Sequence, residues 1–127
     1  MIEQSDAPRG RIRFFRGAFR ILAWLFVACV VAQTFIAGMA LFGDPAAWKS
    51  HTTFVHLFEY LPFFMLISSF AGSMRVRLRW LSGALLALIF VQYATANIPE
   101  AGAVHPVLAL LLFWLSLHVA RAGGTTN

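Results

Sequence analysis

Five side chains that can ligate a cofactor or exchange protons stand within otherwise apolar stretches of the sequence. They are Gln33, His56, Glu59, Gln92 and His105. Imidazole and carboxylate groups bind protons and metals, and an ionisable group inside a membrane span costs about 2.5–3.5 kcal/mol on insertion scales. These residues therefore mark a candidate functional site.

Their spacing in the second apolar stretch sharpens this candidate. On a helix with about 100° per residue, Thr52, His56 and Glu59 share one face, and His56 and Glu59 are i,i+3 neighbours. Pro62 removes one backbone hydrogen bond and frees the carbonyl of Phe58, which predicts a kink beside them. The kink would open the end of the helix that carries the polar residues.

Three ligand-binding interpretations are open, together with a structural one. His105 opens a predicted helix whose dipole favours neutral imidazole, so His56 and His105 suit the axial positions of haem b. His56, Glu59 and His105 also form a two-histidine, one-carboxylate metal set. Glu59 with Gln33 and Gln92 suits a quinone or a proton path. In the structural interpretation, the same groups form a hydrogen-bonded layer that fixes the register of the helices.

Composition indicates which solvent surrounds these residues. The chain has 127 residues, of which 60% are hydrophobic and 12% are charged, and its mean hydropathy is +0.75. Soluble domains are about 45–50% apolar and about 25% charged, and a soluble chain of this size buries only about 65–70% of its surface. We therefore expect a single-domain membrane protein.

Four apolar stretches predict four membrane-spanning helices at about 18–42, 48–72, 80–98 and 104–120. Each is close to the ~20 residues that cross the hydrocarbon core, and lipid excludes an open sheet. Short connections favour antiparallel neighbours. The predicted fold class is an all-α, four-span transmembrane up-down helix bundle over residues 18–121, between a basic tail (1–17) and a short tail (122–127).

The basic residues predict orientation. Five arginines lie between residues 9 and 20, three between 75 and 79, and one at 121, whereas the other two connections contain only Lys49. The positive-inside rule places both termini in the cytoplasm. The net charge of +5 then indicates contacts with anionic lipids at the cytoplasmic face and no nucleic acid. The first span is expected to be retained, because its apolar run is about twice a signal h-region of ~7–15 residues.

Several other residues are assigned no chemistry. Ala28 with Ala32, and Gly83 with Ala87, form small-xxx-small faces that predict close helix packing. Cys29 is expected to be an inert core thiol. The sequence contains no recognisable nucleophile–base pair or phosphate loop, so nothing indicates an enzyme.

Two further histidines are expected to be interfacial. His51 lies beside Trp48 in a predicted aromatic belt, and His118 lies near the cytoplasmic end of the last span. The half of the bundle nearest the cytoplasm is otherwise expected to be almost wholly aliphatic and aromatic.

From about residue 21 to residue 121 the chain resembles a family of small bacterial membrane proteins with four helices. The resemblance is carried by QTFIAG at 33–38, WKSHTTFVHLFEYLP at 48–62, FVQYATAN at 90–97, HPV at 105–107 and LFW at 112–114. The function of that family is unknown, so the resemblance implies a fold and a location but no activity. It also implies that five polar residues are typical of the family: His51, His56, Glu59, Gln92 and His105.

We thus expect a multi-pass protein of the bacterial inner membrane with a polar layer in the outer leaflet that binds haem b, a metal or a quinone. The alternative is a structural or accessory subunit without a ligand. That subunit would pack against a membrane partner or a second copy of itself.

Overall fold

The computed structural model describes residues 7–125, and every regular element in that range is a helix. The predicted all-α fold class is confirmed. The predicted tails fall partly outside the described residues, at 1–6 and 126–127. The elements are α1 (Ala7–Phe42), α2 (Ala47–Phe58), α3 (Leu61–Ala71), α4 (Val76–Asn97) and α5 (His105–Gly124), with a 3₁₀ turn at Pro99–Ala101.

Four helical segments are long and apolar enough to cross a membrane: Pro8–Phe42, Ala47–Ala71, Val76–Asn97 and His105–Gly124. This architecture indicates a multi-pass membrane protein. Three helix ends differ from the sequence prediction, and one of them is the start of α4 at Val76 and not at residue 80. The first helix begins at Ala7 and not near residue 18, and the last continues to Gly124 and not to residue 120. Hydropathy marks the lipid-covered part of a helix, and arginine-rich turns continue a helix beyond it.

The four spans form a closed ring in which each packs on two neighbours. Helix α1 contacts α2, α3 and α5, and α4 contacts α3 and α5, so α1 and α4 lie diagonally opposite. The core is filled by fully buried side chains from all four spans, which include Phe19, Phe26, Met65, Leu85 and Val119. We call the end that holds residue 7, the α3–α4 connection and residue 124 the terminal end. The opposite end is the loop end.

Two arginines of α1 close the terminal end of the bundle. The last carbonyls of a helix have no partner within it and carry the negative end of its dipole. Nε of Arg16 donates to the carbonyl of Gly72 at 2.9 Å, just past the end of α3. Nε of Arg20 donates to the carbonyl of Gly123 at 3.0 Å, at the end of α5. The first helix thereby holds the ends of two others.

Close approach to α1 requires glycine at both positions. A Cβ on Gly72 would lie 3.2 Å from the backbone nitrogen of Arg16, and one on Gly123 would lie 2.8 Å from Cε1 of Phe19. The close packing predicted at Gly83 and Ala87 is wrong, since a Cβ on Gly83 would meet nothing within 4 Å and Ala87 is exposed. The glycines that admit a neighbouring helix therefore lie at helix ends.

Buried serines interrupt the half of the bundle that was expected to be aliphatic and aromatic. Three serines on three helices are at most 1% exposed, and each hydroxyl donates to a carbonyl of its own helix. Small side chains whose hydroxyls are bonded locally let helices approach without leaving a polar group unpaired. They are Ser69, Ser82 and Ser116.

Burial predicts which phenylalanine of α1 stabilises the bundle. Phe19 is 0% exposed, whereas Phe35 is 68% exposed to the surroundings. We expect Phe19→Ala to lower the free energy of unfolding by about 3 kcal/mol because it leaves a cavity. The matched variant Phe35→Ala should change it by under about 1 kcal/mol. Unfolding in mixed detergent micelles, followed by circular dichroism, measures both, and equal losses would contradict the described packing.

Candidate functional site

The second span is interrupted at Glu59 and Tyr60, between α2 and α3. Pro62 has no amide hydrogen, so the carbonyl of Phe58 loses its helical donor. The backbone stays near helical geometry, with φ and ψ of −57° and −24° at Glu59 and −79° and −15° at Tyr60. The interruption lies two to three residues before Pro62 and sets Glu59 at a junction between two helices, whereas the kink stays a prediction.

Three protonatable side chains meet at this junction. The hydroxyl of Tyr93, on α4, donates to Oε2 of Glu59, and it also lies 3.0 Å from Nδ1 of His56. Nδ1 of His56 is 3.5 Å from Oε1 of Glu59, and its ring stacks on Tyr93 at 5.8 Å between centroids. We call His56, Glu59 and Tyr93 the triad. It links the second span to the third.

The hydrogen bonds of the triad select one tautomer of its histidine. The hydroxyl of Tyr93 donates its hydrogen bond to Glu59, so its oxygen can accept a hydrogen bond from Nδ1–H of His56. With the proton on Nδ1, Nε2 keeps a free lone pair. The side chain of His56 is 62% exposed and that of Glu59 only 17%. The ring of His56, backed by a carboxylate, is therefore the most accessible part of the His56–Glu59 pair.

Gln33 lies in a different contact. Its side-chain nitrogen donates to the carbonyl of His51 at 2.9 Å, and Nδ1 of His51 donates to the carbonyl of Gln33 at 3.2 Å. This reciprocal pair ties α1 to α2 near the loop end. The ring of Trp48 meets that of His51 edge-on at 5.6 Å, as expected for neighbours in an aromatic belt.

His105 and Gln92 form a third contact, between α4 and α5. Nδ1 of His105 lies 3.1 Å from the carbonyl of Gln92 and 3.1 Å from the hydroxyl of Thr95. The Gln92 amide fits with its nitrogen towards the carbonyl of His105 at 3.2 Å and its oxygen accepting from Ala109 at 2.9 Å. These residues are bonded to one another across the helix pair.

The five predicted site residues are thus divided among three contacts. His56 and Glu59 stand together in the triad, His105 and Gln92 pair beside α5, and Gln33 pairs with His51. Within residues 7–125 no three histidine, cysteine or carboxylate side chains are grouped to hold a metal ion. The metal set of His56, Glu59 and His105 therefore receives no support from the geometry.

Tyr93 and Thr95 are the site residues that the sequence did not single out. Tyr93 stands next to Gln92, and no spacing within α4 relates it to residues of α2. Its role depends on how two helices are rotated towards each other. An unpaired tyrosine in an apolar span is the one signal that marks such a residue, because a buried phenol usually finds a partner.

Residues 33–98 match a family of unknown function (DUF6220), which is more than half of the 127 residues. The chain belongs to DUF6220. Searches of curated proteins and of solved structures gave no match. The matched part of this DUF6220 chain contains the whole triad and the Gln33–His51 pair. It contains neither His105 nor the arginines of α1.

Two surface depressions of the DUF6220 chain are lined by no residue of the triad. They are shallow, of about 450 and 380 Å³, and are lined by residues of α1, α2 and their connection, such as Met39, Asp44 and Ser50 for the first and Ile36, Lys49 and Leu57 for the second. Neither is lined by His56 or His105, as a haem slot would be. His118 lies apart as well, at the terminal end, with Nε2 at 3.1 Å from Nη2 of Arg77.

A double-mutant cycle measures the coupling energy between Tyr93 and Glu59. We expect Tyr93→Phe and Glu59→Gln together to destabilise this DUF6220 bundle by less than the sum of the single changes. The coupling should be about 0.6 kcal/mol and at most about 1.7 kcal/mol, the range for hydrogen bonds between membrane helices. Unfolding in mixed micelles gives the free energies of unfolding of the wild type, the two single variants and the double variant. A control cycle of Tyr93→Phe with Gln33→Leu, in the separate pair, should show no coupling.

Proposed function

We propose that this DUF6220 protein is a multi-pass protein of the bacterial inner membrane whose triad binds a small ligand of the quinone class and exchanges a proton with it. The terminal end faces the cytoplasm, and the triad lies in the outer half. The observation that carries the proposal is the chain of three protonatable groups, with the ring of His56 largely exposed at its end.

The arrangement suits a ring that carries hydroxyl or carbonyl oxygens. Nε2 of His56 accepts a hydrogen bond from a quinol hydroxyl, and transfer of that proton gives imidazolium and the quinolate monoanion. The carboxylate of Glu59, 3.5 Å from Nδ1, stabilises that charge. Leu57 (74% exposed) and Tyr60 (58% exposed) offer apolar surface beside His56 for the ligand's ring and tail.

The other polar contacts support a structural role for their own residues. The Gln33–His51 pair and the His105 contact with Thr95 and Gln92 form their hydrogen bonds within the chain, although Oε1 of Gln33 is buried without a partner among the described residues. Such bonds hold helices in register without a ligand. An accessory subunit that packs against a membrane partner or a second copy is therefore the rival function, and it applies to the triad as well if His56 binds nothing.

Ligand binding at His56 can be tested with matched histidine variants. The purified protein in mild detergent is titrated with a short-tailed benzoquinol while tryptophan fluorescence is recorded. We expect His56→Ala to weaken binding about three- to tenfold, the value of one hydrogen bond. His118→Ala removes the same group at the terminal end and should leave binding unchanged.

A visible spectrum and elemental analysis of the same samples separate the alternatives. A Soret band lost in His56→Ala and in His105→Ala, but kept in His118→Ala, would identify the ligand as haem b and not a quinone. Equal benzoquinol binding by wild type and His56→Ala would overturn the proposed site. A colourless, metal-free protein without benzoquinol binding would leave the accessory function.

The orientation has its own test. On a Cys29→Ala background, a single cysteine is introduced at Gly10 or Gly124 for the terminal end, or at Ser50 or Gly102 for the loop end, all exposed. We expect a membrane-impermeant maleimide to label the loop-end cysteines in intact spheroplasts and the terminal-end cysteines only after lysis. The reverse pattern would invert the proposed topology.

A further inference from the structure

Charge is divided unequally between the two ends of the bundle. All nine arginines belong to α1 before residue 21, to residues 75–79 or to position 121, at the terminal end. Three carboxylates lie among residues 7–125. Asp44 and Glu100 belong to the connections at the loop end, and Glu59 lies at the junction of α2 and α3. The one carboxylate contact with a basic group in that range is the pair of Glu59 and His56. Apart from Arg20, the arginines therefore form no ion pair with a carboxylate of residues 7–125.

Four of these arginines form a single stripe along α1. Arg9, Arg13, Arg16 and Arg20 follow one another at spacings of four, three and four residues in an unbroken helix. At about 100° per residue they lie within an arc of about 60°. Arg11 lies about 170° away from the centre of that arc, on nearly the opposite side.

Arg16 and Arg20 form the half of the stripe nearer the middle of α1, and their hydrogen bonds show which way the stripe faces. Arg16 and Arg20 donate to the carbonyls of Gly72 and Gly123, at the ends of α3 and α5. Arg9 and Arg13 share their side of the helix and stand one to two turns further out. The segment from Ala7 to Arg16 extends about 13 Å at 1.5 Å per residue. Arg9 and Arg13 are exposed, and no contact with a described residue occupies their guanidinium groups.

We infer that Arg9 and Arg13 bind the phosphate of an anionic phospholipid above the ends of α3 and α5. A guanidinium group matches a phosphate with two parallel hydrogen bonds, and basic residues next to a span attract anionic headgroups. The stripe thus has two parts: Arg16 and Arg20 hold protein carbonyls, and Arg9 and Arg13 hold a lipid headgroup. This inference is independent of any ligand at His56.

Exposed aromatic side chains at the terminal end, on other faces of the bundle than the stripe, favour membrane lipid over water at the level of the arginines. Phe14, which adjoins Arg13, is 69% exposed, and Trp80, near the start of α4, is 77% exposed. Exposed aromatic rings at the level of the headgroups are typical of the membrane interface, where acyl chains cover them. A soluble polyanion would leave both rings in water.

The test uses the full chain in neutral detergent and two short-chain lipids, phosphatidylglycerol and phosphatidylcholine. Native mass spectrometry measures the bound fraction of each. We expect a preference for phosphatidylglycerol, which falls about fivefold for each arginine removed, the effect of one basic residue near an anionic surface. The double variant Arg9→Gln/Arg13→Gln should therefore lose about 25-fold.

The matched control is Arg11→Gln, which removes the same charge from the other face of the same segment. It should lose less than about twofold. Equal losses for Arg11→Gln and Arg13→Gln, or no preference for phosphatidylglycerol in wild type, would overturn the inference. Inorganic pyrophosphate that displaces the lipid fully at equal concentration would show a site for free phosphate, and would overturn it too.

Stability separates the two parts of the stripe. The Arg9→Gln/Arg13→Gln variant should unfold at the wild-type detergent fraction. Arg16→Gln/Arg20→Gln should unfold earlier, because it leaves the ends of α3 and α5 without their donors. A loss of stability in the first variant equal to that in the second would assign Arg9 and Arg13 to the fold and not to a lipid.

Discussion

Hydrocarbon offers no hydrogen bonds, and the structure depends on how its polar groups find partners without water. The clearest instance is the reach of α1 to the ends of two other helices. Arg16 and Arg20 supply donors to the carbonyls of Gly72 and Gly123, and glycine at both positions lets α1 come close enough. Through these bonds and its contacts with α2, α3 and α5, helix α1 joins the second span to the fourth.

The same constraint shapes the loop end. Pro62 takes one hydrogen bond out of the second span, and the polar side chains nearby are bonded across helix boundaries: Gln33 with His51, His105 with Gln92 and Thr95, and Glu59 with Tyr93 and His56. In the Gln33–His51 and His105–Gln92 contacts, the ring nitrogen Nδ1 of the histidine is hydrogen-bonded within the chain. The triad differs because a largely exposed histidine ends it, and this difference makes it the candidate for binding a ligand.

The two ends then suit different chemistry. The proposed quinone-class site stands at a break in a span and uses proton exchange, whereas the inferred lipid site uses fixed positive charge on an overhanging helix. Buried serines at Ser69, Ser82 and Ser116 let the spans close tightly between them. The DUF6220 match covers residues 33–98, so the triad belongs to the part of the chain that defines the family and the arginine stripe does not.

The sequence by itself determined the helical fold, the number of spans, the loss of one backbone hydrogen bond at Pro62 and the pairing of His56 with Glu59. These depend on composition, on apolar run length and on spacing within one helix, which the helical period sets. Only the tertiary structure brought Tyr93 to Glu59, separated Gln33 and His105 from the triad, and divided one arginine stripe into two parts. Those features depend on the rotation and register of packed helices, and side chains from different helices meet in ways that no spacing along the chain records.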